Sequence, residues 1–261
     1  MLTTLAMLLG LSASPSVVAA MNGGDVDVEL ALAVDVSRSM DYEEVRMQRQ
    51  GYVEALSHPE FINAVRGGLL GRIAISYYEW AGEVDQKSVI DWQVIETAED
   101  AQAFARKLAA RPIETQRRTS ISAAISFGAT SIVANGYRGT RQVIDVSGDG
   151  PNNIGPPVLP VRDKAVEAGI VINGLAIMLR PSGTSSGLDK YYAECVAGGP
   201  GSFVLPVHKI DDFAIAVRRK LVMEVSDANP YPDVPTIRRI AATPPDDCLI
   251  GERQWQDFLD R

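Results

Sequence analysis

The sequence predicts an α/β fold in which a doubly wound, mostly parallel central sheet carries helices on both faces and has one antiparallel edge strand. Short apolar runs alternate with helical patterns from residue 27 to about residue 226, as expected for strands joined by crossover helices. The first run, residues 28–36 (VELALAVDV), is almost continuously apolar, which is typical of a strand buried on both faces. Hydrophobic residues make up 46% of the 261 and charged residues 22%, the composition of an ordinary globular protein.

The individual elements follow from local patterns. A long helix is predicted over residues 41–64, where Asp41 and Glu44 have the spacing of a helix-start box. Residues 72–80 and 88–95 have strand patterns, and the second is more polar and is therefore assigned to the edge. The later elements are predicted in the same way, with helices at 97–108, 121–132, 160–168, 188–196 and 210–225, and strands at 141–146, 170–178 and 203–207.

Residues 1–20 are predicted to be a signal peptide. They are uncharged, contain an apolar run, and end in small residues before Met21, although a Lys or Arg near the start is missing. The protein is therefore expected to be exported, to the periplasm or outside the cell, and not to insert into a membrane after cleavage, because no later segment is long and apolar enough. The alternative is a cytoplasmic protein that starts at Met21.

The rest of the chain is predicted to form one domain, residues 21–226, and a Pro-rich C-terminal tail, residues 227–261, with a short helix around Trp255. The two cysteines, Cys195 and Cys248, could form one disulfide that ties the tail to the domain in an oxidising compartment. They could equally be two unrelated thiols, since the sequence does not give their separation. Neither lies in a CxxC motif, and with only two histidines a Cys/His zinc site is not expected.

The charge of the chain limits its partners. The formal net charge is −8 at pH 7, and such a protein is repelled by nucleic acids and by anionic membranes. We therefore expect no nucleic-acid partner. An acidic protein is also suited to recruiting a cation, although acidic proteins are common.

Oxygen-bearing side chains follow the first buried strand directly, in the run Asp35-Val36-Ser37-Arg38-Ser39. In open α/β sheets, ligands bind at the carboxyl ends of the strands, near the point where the strand order reverses. One carboxylate and two hydroxyls are hard ligands that suit Mg²⁺, Mn²⁺ or Ca²⁺. Taken alone, the run has a second interpretation, because Ser and Asp also cap helices.

Two further segments make the pattern recognisable. Thr119 precedes a helix after a basic loop, and Asp149 stands in the turn SGDG after another apolar strand. DxSxS, a Thr that opens a helix and an Asp-Gly after a strand together resemble the metal-ion-dependent adhesion site of von Willebrand factor A (vWA) domains. The likeness covers roughly residues 27–226 and implies a vWA, Rossmann-like three-layer sandwich. The runs YYEWAG, VSGDGPNN and GGPGSFV also resemble an uncharacterised group of exported bacterial vWA proteins. This second resemblance does not imply any particular activity.

The resemblance implies a site for one divalent cation, Mg²⁺ first and Mn²⁺ or Ca²⁺ as alternatives. Ser37, Ser39 and Thr119 resemble the hydroxyl ligands, and Asp35 and Asp149 resemble the acids that balance the charge, often through water. In similar domains an Asp or Glu of a partner protein completes the coordination. The implied function is a non-enzymatic adhesion or scaffold domain, and the alternative is a metal that only stabilises the loops.

The segment before Thr119 departs from the family pattern. Many such domains carry glycines there, whereas this chain has Arg117 and Arg118. The two arginines could attract an acidic partner, or they could be solvated or paired with nearby acids, as exposed arginines usually are. With this departure, the alternative is that Thr119 does not ligate the metal directly.

The remaining rim candidates stand at the ends of two strands. Trp and Asn are suited to recognition, although a Trp is often simply buried. The candidates are Trp80, which follows Glu79, and the pair Asn152 and Asn153 after the Asp149 turn.

A serine hydrolase is the enzymatic alternative. Ser185 lies in a GxSxG run, residues 183–187, and His208 lies downstream. A nucleophile elbow must sit tightly at a strand end, and residues 180–182 separate this run from the strand before it. Phosphate-binding glycine motifs of the P-loop or dinucleotide type are also missing from the sequence. We therefore expect a binding protein and not an enzyme.

Overall fold

The computed structural model describes residues 24–179, 187–226, 231, 238–239 and 247–260. Its centre is one sheet in the strand order β3-β2-β1-β4-β5-β6-β7. β2, β1, β4, β5 and β6 pair in parallel, while β3 at one edge and the two-residue β7 at the other are antiparallel. The strands are β1 (Asp25–Asp35), β2 (Ile73–Trp80), β3 (Val84–Ile95), β4 (Arg138–Gly148), β5 (Ile170–Ile177), β6 (Phe203–Val207) and β7 (Arg238–Arg239). The predicted mostly parallel sheet with an antiparallel edge strand is confirmed, and β7 was not predicted.

Helices cover both faces of the sheet, so the doubly wound architecture is confirmed. On one face lie α1 (Tyr42–Ser57), α2 (Pro59–Arg66), α3 (Ala98–Ala109) and α7 (Phe213–Val225), which a short 3₁₀ turn (Ile210–Asp212) precedes. On the other face lie α4 (Ile121–Ala134), α5 (Val158–Glu167) and the short α6 (Leu188–Tyr191), which continues as a π-helical turn (Tyr192–Val196). The last helix, α8 (Ile250–Leu259), lies in the C-terminal tail.

The alternation of side chains along β1 divides the core between the two faces. Leu30, Leu32 and Val34 belong to the cluster beneath α1 and α7, whereas Ala31 and Ala33 belong to the cluster beneath α4. Successive side chains of a strand point to opposite faces, so the run is buried on both sides as its composition predicted. The small alanines allow α4 to approach the sheet closely.

The predicted single helix over residues 41–64 is wrong, because the structure has two helices that meet at His58 and Pro59. The start box is present, since Asp41 and Glu44 each accept a hydrogen bond from the other's backbone N–H at 2.9 Å. Pro59 has no N–H and disfavours helical geometry in the residue before it. His58 is accordingly extended (φ −77°, ψ 138°), and its Nδ1 caps α2 by accepting from the Glu60 N–H.

The predicted signal peptide, residues 1–20, and the candidate nucleophile Ser185 lie outside the described residues. Within the described part of the chain, every helix is too short or too polar to cross a bilayer.

Candidate metal centre

The DxSxS run leaves the sheet at the carboxyl end of β1. Asp35 is the last residue of the strand and is fully buried, with 0% of its surface exposed. The Ser37 N–H donates to Asp35 Oδ1 at 2.7 Å, so the chain turns back over the carboxylate. The Ser37 and Ser39 hydroxyls share a hydrogen bond of 2.8 Å. The turn therefore brings one carboxylate and two hydroxyls to the same end of the strand.

Asp149 joins this group from the neighbouring strand. β4 pairs in parallel with β1, with Ser147 opposite Val34, so the two strands end side by side, where the strand order reverses. The Ser39 hydroxyl donates to Asp149 Oδ1 at 2.6 Å. A side chain on Gly148 would lie 2.8 Å from Asp35 Oδ2 and 2.5 Å from the Tyr192 hydroxyl, so glycine is required for the close approach of these groups.

The carboxylates of Asp35 and Asp149 carry like charges and so cannot balance one another. Burial, and then the negative charge of Asp149, raise the pKa of Asp35 well above its usual value. Asp35 Oδ2 is buried without a hydrogen-bond partner, and a buried carboxylate in that situation is unfavourable unless a cation or a proton balances it. The donor set of two carboxylates and neutral hydroxyls fits a hard divalent cation.

The loop that carries Thr119 is joined to the DxSxS turn three residues before the threonine. Gln116, three residues before it, forms a parallel bridge with Ser37, which joins this loop to the DxSxS turn. Thr119 itself exchanges two hydrogen bonds with Asn153: its N–H donates to Asn153 Oδ1 at 2.9 Å, and its carbonyl accepts from the Asn153 N–H at 2.8 Å. Thr119 is 5% exposed and lies directly before Ser120, the N-cap of α4.

The two arginines before Thr119 have different surroundings. Arg117 is exposed, and its carbonyl accepts a hydrogen bond from the Gly82 N–H at 3.1 Å. Arg118 is partly buried, and its guanidinium lies 3.5 Å from the centre of the Trp255 ring. Its backbone φ is +77°, in the left-handed region that glycine adopts easily. The departure from the glycine pattern therefore keeps a glycine-like backbone in this structure.

Two of the predicted rim residues are buried and cannot contact a partner. Trp80 has 0% of its surface exposed and belongs to the core beneath α4, because residues at the end of a central strand are covered by helices on both faces. Asn152 is also 0% exposed. Its Oδ1 accepts from the Ser122 N–H in the first turn of α4, and its Nδ2 donates to Glu252. Asn153 is partly exposed and holds Thr119.

Glu79, the residue before Trp80, belongs to a separate buried ion pair. Its Oε1 accepts from Arg49, and the Tyr77 hydroxyl donates to the same oxygen at 2.8 Å. The Arg49 guanidinium also donates to backbone carbonyls of the loop after α3, including that of Arg111 at 3.0 Å. Glu79 therefore stabilises the packing of α1 against that loop.

A third charged cluster lies within the core on the α7 side of the sheet. Lys220 Nζ lies 2.5 Å from Asp145 Oδ1 and 2.6 Å from Glu224 Oε1, and all three side chains are at most 1% exposed. Asn173 Nδ2 donates to the other Glu224 oxygen at 2.6 Å. One lysine thus faces two carboxylates, and burial raises the pKa of Glu224 to about 7.

Sequence reasoning missed two residues beside the candidate centre. Gln48 Nε2 donates to the Asp35 carbonyl at 2.7 Å, and its only sequence signal is a polar residue on the buried stripe of a helix. The Tyr192 hydroxyl is buried without a hydrogen-bond partner. Burial, and then the charges of Asp35 and Asp149, raise its pKa well above the usual value. Tyr192 lies 157 residues from Asp35 in sequence numbering (192 − 35), and no local pattern points to it.

The C-terminal segment docks beside the same loops. Cys195 in the π-helical turn and Cys248 before α8 are bonded, with their Cα atoms 5.5 Å apart. Glu252 Oε1 accepts from Asn152 Nδ2 at 2.8 Å, and the Trp255 ring stacks against the Arg118 guanidinium. The short helix predicted around Trp255 is present as α8, and it contacts the loops that carry Asp149 and Thr119.

The side chains near the candidate centre limit which ligands a cation could have. Within the described residues, no group of three or more His, Cys, Asp and Glu side chains could hold a metal ion, so a cation at this edge needs the hydroxyls as ligands. His58 caps α2 and contacts Arg218, which is a structural role. His208 is exposed after β6.

Comparison with known proteins gives a family and a fold. A family model described as "Protein of unknown function (DUF1194)" matches residues 25–229. A search of curated proteins gives no match.

Among solved structures, proximal thread matrix protein 1 from the mussel byssus, with a zinc-occupied MIDAS motif, aligns with a TM-score of 0.55 and 17% identity over 78% of this chain and 48% of that one. The pilus adhesin SpaC from Lactobacillus rhamnosus GG aligns with a TM-score of 0.57 and 12% identity, over 77% and 30% of the two chains. A von Willebrand factor type A protein from Catenulispora acidiphila gives 0.52 and 12%, over 77% and 43%. The chain thus spans less than half the length of each, and the shared feature is the vWA fold.

Proposed function

Because the chain belongs to the DUF1194 family, a family of unknown function, and has the fold of a vWA domain, we propose that it is a non-enzymatic protein-binding domain that depends on a divalent cation. In this proposal the cation is held at the carboxyl ends of β1 and β4. The byssus protein of similar fold has a zinc-occupied MIDAS motif, and this supports a metal at the corresponding edge of the sheet.

The proposed ligands are Asp35, Ser37, Ser39, Thr119 and Asp149, and Mg²⁺ is the proposed ion, with Mn²⁺ or Ca²⁺ suited to the same donors. The observation that carries the proposal is the buried, unpartnered Oδ2 of Asp35 beside a second carboxylate. A divalent cation at this point would offset the repulsion between the two acids. It would also give Asp35 Oδ2 a partner in place of a hydrogen bond.

The proposed partner is a protein that presents an Asp or Glu side chain. Three of the five proposed ligands are neutral hydroxyls, so the two aspartates only balance the charge of the ion, and the ion stays electrophilic enough to accept a further carboxylate in a charge-assisted contact. The exposed Arg117 beside Thr119 adds positive charge at the rim. SpaC, of similar fold, is a pilus adhesin, which is consistent with a role in adhesion.

We also propose that the protein works outside the cytoplasm, in the periplasm or as a secreted protein. The bonded pair Cys195–Cys248 supports an oxidising compartment, because disulfides are rare in reducing cytosol. Thiol labelling of the protein in isolated cell fractions tests this location. Two labelled cysteines in the native protein would contradict it.

The metal is tested by calorimetric titration of Mg²⁺ and Mn²⁺ into the apo protein. Binding of one ion per chain is expected for the wild type and for Asp91→Ala, a control at an exposed aspartate on β3. Asp149→Ala should lose it, because one of the two acids is removed. The absence of binding to the wild type would overturn the proposed metal centre.

The partner is tested by capture from an envelope extract with Mg²⁺ and again with EDTA. Proteins retained only with Mg²⁺ and only by the wild type and Asp91→Ala support adhesion. Metal binding that raises stability without metal-dependent capture would favour a purely structural ion. Labelling of Ser185 by a fluorophosphonate would favour the hydrolase, the enzymatic alternative.

A further inference from the structure

The backbone just before Thr119 adopts a conformation that its residue type disfavours. Among the residues that the structure describes, Arg118 is the one non-glycine residue with positive φ, at +77°. A Cβ atom in the left-handed region approaches the following carbonyl, so an arginine remains there only when other contacts hold it. Thr119 follows immediately, and the direction of its side chain depends on this conformation.

The side chain of Arg118 contacts the C-terminal helix. Its guanidinium lies 3.5 Å from the centre of the Trp255 ring, the arrangement in which a cation is attracted by the ring face. Arginine stacks in this way because its guanidinium is planar and weakly hydrated. Glycine, the residue that tolerates positive φ, could not make this contact.

A second line of contacts from α8 leads to the same threonine. Glu252 Oε1 accepts from Asn152 Nδ2 at 2.8 Å, and the next residue, Asn153, exchanges two hydrogen bonds with Thr119. A side chain at Gly251 would clash with the Asn152 carbonyl, so the first turn of α8 lies directly on this loop.

The helix is also anchored at its start by a covalent bond. Cys248 stands two residues before α8 and is bonded to Cys195 in the π-helical turn. Two side-chain contacts therefore join α8 to the loops that carry Asp149 and Thr119, and the disulfide joins its start to the π-helical turn. The last turn of α8 continues into solvent, where Phe258 is 66% exposed, and the contacts with the loops come from Gly251, Glu252 and Trp255.

We infer that α8 is a positioning element for the candidate metal centre, in which Trp255 holds Arg118 in the left-handed conformation and so orients Thr119 toward the ion. The inference rests on the proposed function, since it assumes that Thr119 is a ligand. Trp255 does not touch the ion in this account. Its contact with Arg118 lets an arginine keep the left-handed conformation that a glycine would adopt without help.

The test is a set of Mg²⁺ titrations on the full chain. Trp255→Ala should lower Mg²⁺ affinity about tenfold, the factor to which 1.4 kcal/mol corresponds. Adding Arg118→Gly to Trp255→Ala should restore affinity to within about threefold of the wild type, because glycine adopts positive φ without the stack. Leu259→Ala, an exposed position in the last turn of α8, is the matched control and should leave affinity unchanged.

Rescue by Arg118→Gly separates positioning from general damage, since glycine repairs the backbone conformation and not a loosened fold. If Trp255→Ala does not fold, Trp255→Phe and Trp255→Leu carry the comparison, because phenylalanine keeps an aromatic face and leucine does not. Equal affinity of those two variants, or loss in Trp255→Ala without rescue, would overturn the inference. Wild type that binds no Mg²⁺ would instead overturn the proposed metal centre, while wild-type binding with an unaffected Trp255→Ala would overturn only the positioning role.

Discussion

Asp35 at the end of β1 and Asp145 within β4 are both fully buried aspartates of neighbouring strands, and burial raises the pKa of each. The charges that face the two aspartates have opposite signs. Asp145 faces Lys220 at 2.5 Å, and that cation offsets part of the rise in its pKa. Asp35 faces the negative charge of Asp149, which adds to the rise. The chain thus supplies the cation at one site and a second acid at the other.

The difference separates a structural charge from one arranged for a ligand. The buried cluster of Lys220, Asp145 and Glu224 connects α7 to β4, and the cation in it is a side chain of the protein itself. Two acids meet at the carboxyl ends of parallel strands with hydroxyls around them, and the burial and like charge that raise the pKa of Asp35 favour the binding of an added cation there. The following predictions test whether the two sites differ in this way.

The largest effect is expected at Lys220, the cation of the buried cluster. Lys220→Met should lower the free energy of unfolding by about 3–5 kcal/mol, because it leaves buried carboxylates without their cation. The loss should be the same in EDTA and in Mg²⁺, measured by urea denaturation, since Lys220 does not serve the candidate metal centre. Lys209→Met, at an exposed lysine, is the control and should change little. A loss that depended on Mg²⁺ would break the distinction between the two sites.

The excess acid in that cluster should make stability depend on pH. The pKa of Glu224 in the folded protein is about 7 against an ordinary 4.5, so the folded state binds more protons than the unfolded state between these values. Its contribution to stability is therefore complete below about pH 4.5 and is lost as pH rises through 7, by up to about 3 kcal/mol at 1.36 kcal/mol per pH unit. Denaturation in EDTA at pH 5 and pH 8 should show a smaller decrease in Glu224→Gln. An equal decrease in both proteins would contradict this assignment.

At the candidate metal centre, the stabilisation should come from an added cation. Mg²⁺ at 100 times its dissociation constant should raise the free energy of unfolding by about 2.7 kcal/mol, because it binds only the native state. Glu224→Gln should show the same gain, since the two sites share no residue and their effects should add. Thermal melts with and without Mg²⁺ measure both proteins. A reduced gain in Glu224→Gln would mean that the two sites are coupled.

The smallest effect is expected from removing the charge of Asp35. Asp35→Asn keeps an acceptor for the Ser37 N–H and removes the repulsion with Asp149. In EDTA it should be neutral or more stable by about 1 kcal/mol, the size of a modest electrostatic gain, and in Mg²⁺ it should lose the stabilisation that the wild type gains. Denaturation in the two buffers gives the result. A large loss of stability in EDTA would show that Asp35 is a structural charge like Asp145.

The sequence predicts the sheet and the position of the candidate centre because both depend on local patterns. A continuous apolar run such as 28–36 indicates a strand buried on both faces, and parallel strands place their carboxyl ends at one edge. The structure accordingly brings Asp35, Ser37, Ser39 and Asp149 together. The boundary between α1 and α2 at Pro59 is visible in the sequence, and the prediction of one helix over residues 41–64 did not use it.

What only the tertiary structure decided is which side chains are exposed and which distant groups meet. Trp80 and Asn152 stand at strand and turn positions that suit a rim, yet the helices packed over them bury both. Glu79 meets Arg49 across 30 residues, and Asn152 meets Glu252 across 100. The contact of Arg118 with Trp255 likewise joins a loop to a tail that composition alone describes as a linker. Such contacts depend on how whole helices, strands and loops pack together, so the pattern of residues within a short segment does not predict them.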